Sequence, residues 1–249
     1  GISTRFSNRH EGGGKAQLRV IAGFVLSAAV VSFLCAPSMS WLATLGGSFI
    51  ALSLVPVVVA SALLGAQLPL ISHWAVAANR SAGAGVSYLY FGNILGSVLG
   101  SAGTGFVLMD YMTLSELSTA LGVLGLAVGL GVLWVSETDR RVSLGVSAAG
   151  VAAAAGMWLG SDALYDGFWE RLHFKDEWQG RELVQVIETH SGVVSVDAEG
   201  TVFGTGVFDG RFKTGIRNLK IGNARVYAIS AFHPAPKKVL VLGLGSGSW

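Results

Sequence analysis

Residues 86–109 read VSYLYFGNILGSVLGSAGTGFVLM, and no charged side chain interrupts them. A helix needs about 20 predominantly apolar residues to cross a hydrocarbon core of ~30 Å. The stretch is long enough to do so, and it therefore predicts a membrane-spanning helix.

Neighbouring stretches have the same character. Between Val20 and Ser136 the only charged residues are Arg80, Asp110 and Glu116. The last of these stretches, 142–159, is uncharged but short. Its many Ala and Gly residues gain less from lipid than Leu or Ile would. We expect a cytoplasmic tail or loop at 1–17 and a transmembrane bundle at 18–160, with Pro69 kinking or ending the second helix. The predicted spans are 18–36, 42–66, 86–109, 117–135 and, less apolar than these, 142–159.

The composition of the whole chain agrees with a membrane region that is followed by a soluble one. Of the 249 residues, 51% are hydrophobic and 13% are charged, against roughly 25% charged in soluble domains. Residues 161–249 hold 20 of the 32 charged residues. The single cysteine, Cys35, argues against a disulfide scaffold, and a net charge of +2 argues against nucleic-acid binding. The chain starts without Met and stops after a glycine-rich turn, so we expect a truncated piece of a longer protein.

Gly92, Gly96 and Gly100 recur at a spacing of four in the third span. Small residues at this spacing let another helix approach closely, so this face predicts helix packing, within the chain or in an oligomer. A transport path with Asn93 as a polar contact is the alternative. No span carries an acidic or basic residue at mid-membrane, which argues against an ion-coupled pump.

The positive charges predict the orientation. Arg5, Arg9, Lys15 and Arg19 place the N-terminal tail in the cytoplasm by the positive-inside rule. Four spans then return the chain to the cytoplasm after Arg140-Arg141, whereas a fifth full span would place the soluble half outside. We expect a multi-pass protein of the cell membrane with a cytoplasmic soluble domain, which requires residues 142–159 to be interfacial or re-entrant.

The soluble half begins with aromatic and charged residues at 161–180, which indicate an amphipathic connector near the lipid headgroups. Short strands are predicted next, at 182–188, 193–197 and 201–203, with a turn at 198–200. Together they predict a small antiparallel β unit at about 181–212, and a helix at 225–232 completes a domain at 181–236. His190 and His233 have no partner at metal-ligand spacing, so we expect no metal.

Val239-Leu240-Val241-Leu242 is a fully apolar run, as in a strand that is buried on both faces of a parallel sheet. It leads directly into Gly243-Leu244-Gly245-Ser246-Gly247. A buried strand that enters a Gly-x-Gly-x-Gly turn is typical of the first strand of a doubly wound, Rossmann-like α/β domain, in which the glycines let the backbone approach a nucleotide. We assign 237–249 to the start of such a domain. A glycine-rich turn without a ligand is the alternative.

At this point the sequence resembles a known family, the spermidine synthases (polyamine aminopropyltransferases). His233-Pro-Ala-Pro-Lys-Lys-Val-Leu-Val-Leu-Gly-Leu-Gly-Ser-Gly is similar to their His-Pro-x-Pro-Lys-x-Val-Leu-x-x-Gly-x-Gly-x-Gly block. Phe208-Asp209-Gly210 stands where the family has Leu-Asp-Gly, and Tyr227 stands where it has the Tyr of Tyr-His-Glu. The apolar half resembles fused proteins in which a transporter-like bundle precedes a synthase-like domain.

The resemblance implies a fold, a ligand and a set of site residues. The ligand would be decarboxylated S-adenosylmethionine or S-adenosylmethionine, as co-substrate. The second substrate would be a small-molecule amine or another acceptor. The implied cofactor-binding residues are Gly243, Leu244, Gly245, Ser246 and Gly247. The implied substrate-binding residues are Asp209, Gly210 and Tyr227.

The chain departs from the family pattern at several positions, which are Lys213, Ala228, Ile229 and Ser246. These substitutions remove polar contacts to the nucleotide and the amine. The family's catalytic carboxylates would follow Trp249, so the catalytic residues are unknown and we expect this chain to be inactive by itself.

Three functional hypotheses follow. The first is a membrane-anchored spermidine synthase-like transferase. The second is a methyltransferase-like membrane enzyme that uses S-adenosylmethionine, because the strand and the glycine turn are shared. The third is a transporter-like membrane protein with a regulatory nucleotide-binding domain, which polar groups inside the bundle would favour. All three imply the lipid bilayer as a partner.

Overall fold

The computed structural model describes residues 2–76, 82–136 and 140–212, together with the short pieces 231–233, 235–240 and 242–243. The chain forms two compact units, one from Gly1 to Asp176 and the other from Glu177 to Trp249. The first unit is helical, and the second contains an antiparallel sheet.

Seven α-helices occur in the described residues of the first unit. Short 3₁₀ turns at Gly47–Leu54 and Lys175–Glu177 join or follow them, and α3 leads into α4 through a π-helical turn at Thr104–Leu108. The helices are α1 Ile2–Ala43, α2 Val55–Ala75, α3 Ala82–Gly103, α4 Met109–Tyr111, α5 Leu114–Ser136, α6 Arg140–Tyr165 and α7 Phe168–Phe174.

Within the residues that the structure describes, five helical stretches are long and apolar enough to cross a membrane, as judged by their length and composition. They are Gly14–Ala43, Ala51–Ala75, Ala82–Tyr111, Leu114–Ser136 and Arg141–Glu177. The prediction of a helical, multi-pass membrane bundle is confirmed at this level.

The second apolar stretch lies further along the chain than the predicted span at 42–66. Leu42 and Ala43 end α1, and Gly46 and Gly47 then reverse the chain with φ values of +66° and +47°. α2 continues through Pro69 to Ala75, so Pro69 does not end the helix. A proline is tolerated in apolar helices because neighbouring groups satisfy the backbone carbonyl that it leaves free.

α1 and α5 pack antiparallel through small residues. Gly122 lies against Phe33, Gly125 against Ala29 and Gly129 against Leu26. The residue numbers rise on α5 as they fall on α1, which fixes the relative direction of the two helices. Glycine lets the backbones approach closely where a larger side chain would hold them apart.

α6 packs antiparallel to α5 over most of its length. Leu130 lies against Gly150, Met157 lies against Gly122, and Trp134 Nε1 donates a hydrogen bond to Ser147 Oγ. Residues 142–159 therefore belong to one continuous helix of 26 residues, and they are not a short re-entrant segment.

The far end of α1 is covered by the aromatic residues at 165–169. Tyr165 and Phe168 are buried with Phe33 in the main core cluster. The Tyr165 hydroxyl donates a hydrogen bond of 3.0 Å to the carbonyl oxygen of Phe33. Residues that were expected to form a connector at the headgroups instead complete the core of the helical unit.

The second unit contains the predicted small antiparallel sheet, which is confirmed. Its strands follow one another in space as they do in sequence. Gly200 and Gly206, with φ values of +76° and +79°, make the last two turns. The fourth strand was not predicted, because the glycines around it obscure the alternation of its side chains. The strands are β1 Leu183–Thr189, β2 Gly192–Asp197, β3 Thr201–Gly204 and β4 Val207–Arg211.

The contact between α1 and α5 predicts the effect of a single methyl group. A Cβ atom at Gly125 would stand 2.8 Å from the Cβ atom of Ala29, and the two helices would have to move apart. We expect Gly125→Ala to lower the free energy of unfolding by about 1–3 kcal/mol, as in other overpacked sites. The measurement is loss of helical circular dichroism on titration with a denaturing detergent.

Gly131→Ala on the same helix is the matched control, because a Cβ atom there meets nothing within 4 Å. We expect this variant to be as stable as the parent protein or up to about 1 kcal/mol more stable, because alanine favours a helix more than glycine does. Equal losses in the two variants would show that α5 does not pack on α1 at Gly125.

Candidate functional site

The described part of the predicted nucleotide site is exposed. Gly243 has a φ of +82°, which suits a turn that only glycine adopts easily. Val239, Leu240 and Leu242 are 55%, 83% and 86% exposed and belong to no strand. The structure thus does not bury these three residues as the sequence predicts. A parallel strand is covered only where neighbouring strands flank it, and the strands of the described residues pair with one another in the β1–β4 sheet.

The predicted substrate residues Asp209 and Gly210 lie next to each other on β4. Asp209 is exposed, whereas Gly210 is buried and pairs with Val202 on β3. Because β4 is the last strand in the order of the sheet, the Asp209 carboxylate is accessible beside a strand edge. The remaining predicted site residues, which are Tyr227, Leu244, Gly245, Ser246 and Gly247, lie outside the described residues.

The glycine face of α3 is uncovered in the part of the chain that the structure describes. A Cβ atom at Gly92, Gly96 or Gly100 would meet nothing within 4 Å, and α3 buries none of its residues. These glycines therefore do not serve to pack α3 on another described helix. The oligomer that they predict stays a prediction.

A cavity of about 470 Å³ lies between α1, α2 and α5. Its wall is apolar apart from Ser32, Gln67 and Ser118, and it contains no charged side chain. Such a site suits a neutral, mostly apolar molecule, to which the Gln67 amide offers both a donor and an acceptor. The full lining is Val25, Ala28, Ala29, Ser32, Phe33, Leu64, Gln67, Ser118, Leu121, Gly122, Leu124, Gly125 and Val128.

Gln67 is not among the predicted site residues, because the predicted second span ends at residue 66 and leaves Gln67 in the connection that follows. In the structure Gln67 is in the middle of α2. One feature of the sequence does indicate that Gln67 lies inside a helix. No charged residue occurs between Leu54 and His73, so the apolar helix can extend past Pro69.

Arg171 is a buried cation at the far end of the bundle, with 2% of its surface exposed. Its Nε donates a hydrogen bond of 3.0 Å to Ser40 Oγ, and Ser40 Oγ in turn donates to the Pro37 carbonyl oxygen at 2.8 Å. The Arg171 Cζ atom lies 4.2 Å from the centroid of the Trp41 ring, within the range of a cation–π interaction. The guanidinium group thus joins α7 to the end of α1.

The role of Arg171 was not predicted, because the residues around it look like a headgroup anchor. Phe168, Arg171 and Leu172 are spaced as neighbours on one helix face. That spacing was the available signal that Arg171 shares the buried face of a short helix.

No protein-family model, curated protein or solved structure matches this chain.

The Arg171 contacts predict a cost for removing one hydroxyl group. Ser40→Ala removes the hydroxyl group that accepts the hydrogen bond from Arg171 Nε, and a buried N–H that loses its acceptor costs about 1–3 kcal/mol. We expect that loss in the free energy of unfolding, measured by the same detergent titration.

Ser101→Ala is the matched control. Ser101 Oγ also donates to a carbonyl oxygen three residues earlier, that of Val98 at 3.2 Å, but it is exposed on α3. We expect Ser101→Ala to unfold like the parent protein. A Ser40→Ala variant that is as stable as this control would refute the role assigned to the Arg171–Ser40 bond.

Proposed function

We propose that this chain is part of a membrane-anchored, spermidine synthase-like protein that binds an S-adenosyl compound at residues 243–247. The observation that carries the proposal is the order of parts along the chain. Apolar helices come first, a four-stranded antiparallel sheet follows, and the Val-Leu-Val-Leu-Gly-Leu-Gly-Ser-Gly block comes last. The family that this sequence resembles has a small β domain directly before its glycine block.

The chemistry of such a transferase needs orientation and the removal of a proton. The sulfonium of decarboxylated S-adenosylmethionine makes the aminopropyl carbon electrophilic. An amine nitrogen attacks that carbon, the new C–N bond forms as the C–S bond breaks, and a base takes the proton. The thioether methylthioadenosine is the leaving group.

Two features of the described residues support this proposal. Gly243 has the left-handed conformation of a tight turn, so the chain can bend where a nucleotide would approach the backbone. Asp209 keeps an exposed carboxylate on β4, where it can attract a cationic amine. Within the proposed function Asp209 and Gly210 shape the entrance, and Gly243, Leu244, Gly245, Ser246 and Gly247 contact the adenosyl group.

Titration calorimetry of the full chain in detergent tests the proposal. The three probes are S-adenosylmethionine, its decarboxylated form and methylthioadenosine. We expect heat from the decarboxylated form and from methylthioadenosine. Heat from S-adenosylmethionine alone would favour a methyltransferase-like enzyme, and no heat from any probe would refute nucleotide binding.

A glycine variant and its control show where the ligand binds. Gly245→Val places a branched side chain where the backbone must approach the ligand, and we expect at least a tenfold weaker affinity. Gly131→Val, at an open position on α5, leaves the affinity unchanged. Equal affinities in both variants would move the ligand away from the glycine block.

We propose, as a second candidate, a transporter-like membrane protein, and the cavity between α1, α2 and α5 favours it. Gln67 and Ser32 give this cavity polar groups inside an otherwise apolar wall. A polyamine is a poor occupant, because its charges would lose their hydration without meeting a carboxylate. A neutral amphiphile fits the wall better.

A photoreactive, diazirine-bearing monoacylglycerol tests this second candidate in reconstituted membranes. We expect crosslinks at Ser32 and Gln67 that excess unlabelled monoacylglycerol suppresses and that Ala28→Leu, which fills the cavity, reduces several-fold. Leu99 is the comparison position, because it is 64% exposed on α3 and its labelling should resist competition. If unlabelled monoacylglycerol fails to suppress the crosslinks at Ser32 and Gln67, as at Leu99, a cavity site is refuted.

A further inference from the structure

The helical unit has two distinguishable ends. The end of α2 lies beside the start of α1, where Gln17 Nε2 is 3.4 Å from His73 Nδ1. The antiparallel pairs of α1 with α5 and of α5 with α6 bring the end of α5 and the start of α6 to the same place. We call this the basic end.

Lysine and arginine residues concentrate at the basic end. Lys15, Arg19 and Arg141 are exposed there, and Arg140 begins α6. The backbone of α1 continues from Lys15 toward Arg5 and Arg9. In the sequence Arg80 also falls between α2 and α3, although it lies outside the described residues.

At the opposite end the connections from α1 to α2 and from α4 to α5 carry no lysine or arginine, although Arg171 and Lys175 follow α6 at that end. Residues 44–54 between α1 and α2 contain no charged side chain, and the junction of α4 and α5 holds Asp110 and Glu116 without a lysine or arginine. Glu116 caps α5, since its Oε2 accepts a hydrogen bond of 2.7 Å from the Thr113 backbone N–H.

α6 carries the chain from the basic end to the opposite end. Its 26 residues span about 39 Å at 1.5 Å per residue, more than the thickness of a hydrocarbon core. At its far end, Tyr165 bonds to the Phe33 carbonyl and Arg171 bonds to Ser40. Both partners lie on the half of α1 that is remote from Lys15 and Arg19.

We propose that the basic end lies against the anionic headgroups of the cytoplasmic leaflet and that the chain from Glu177 onward emerges on the opposite face of the membrane. Lysine and arginine at the ends of spans are retained in the cytoplasm and are attracted by its anionic lipids. The described residues hold five helical stretches that are long and apolar enough to cross a membrane, and five crossings would place the β unit on the side opposite the N-terminal tail.

The evidence for this orientation does not depend on the proposed nucleotide binding. The orientation does limit where that binding could take place. An S-adenosyl compound would have to be available on the non-cytoplasmic face to reach residues 243–247. A soluble domain on the cytoplasmic face, which the sequence predicts, would overturn the orientation.

Single-cysteine labelling in intact cells tests the orientation without any ligand. The native cysteine is removed by Cys35→Ser, and one cysteine is introduced by Glu199→Cys in the exposed turn between β2 and β3 or by Asn8→Cys near the N-terminus. We expect a membrane-impermeant maleimide to label the Glu199→Cys protein in intact cells and the Asn8→Cys protein only after permeabilisation. Protection of both positions, or the reverse pattern, would overturn the proposal.

The role of the charges is tested in the Glu199→Cys background. Neutralising Lys15, Arg19, Arg140 and Arg141 to Gln should lower the fraction that is labelled in intact cells several-fold. Neutralising Lys175 and Arg181, which follow α6, should leave it unchanged. An unchanged fraction in the first variant would overturn the assignment of the basic end to the anionic leaflet.

Discussion

The close approach of α1 and α5 is the contact on which the helical unit depends. Gly122, Gly125 and Gly129 form one face of α5, and this face receives Phe33, Ala29 and Leu26 of α1. In lipid there is no gain from burying apolar surface between helices, so their association depends on van der Waals contact and on hydrogen bonds. Glycine at these positions brings two backbones close enough for that contact to be extensive.

Other helices of the unit also pack against α1. α2 returns along it after the turn at Gly46 and Gly47, and α7 is held to its end by Arg171. The same contact creates the cavity, because the small side chains that let α1 and α5 approach also leave space toward α2. Stability and a candidate ligand site thus have one physical origin.

The chemistry of the two units differs in kind. In the helical unit the cavity is neutral, and its buried cation, Arg171, is occupied in joining two helices. The β unit presents an exposed carboxylate at Asp209, and a glycine-rich block follows it in the chain. Charged ligands are therefore more compatible with the second unit, and neutral amphiphiles with the first.

The sequence by itself determined the class of the protein. Uncharged stretches long enough to cross a bilayer predict membrane helices whatever their neighbours are, because hydrocarbon excludes charge locally. The short runs at 182–188, which partly alternates, and 193–197 likewise predict strands, since a strand and the turn that bounds it are read from adjacent residues. The resemblance of the glycine block predicts a nucleotide ligand, and that stays a prediction.

Only the tertiary structure decided which residues meet. It gave the length of α6, the position of Gln67 inside a helix and the contact of Arg171 with Ser40 and Trp41. It also left Val239, Leu240 and Leu242 exposed, although their sequence is that of a buried strand. An apolar run shows that burying the segment would be favourable. Its burial also requires other segments, from distant parts of the chain, that pack against it. Contacts between residues such as Ser40 and Arg171, which are 131 positions apart, leave no local pattern to predict.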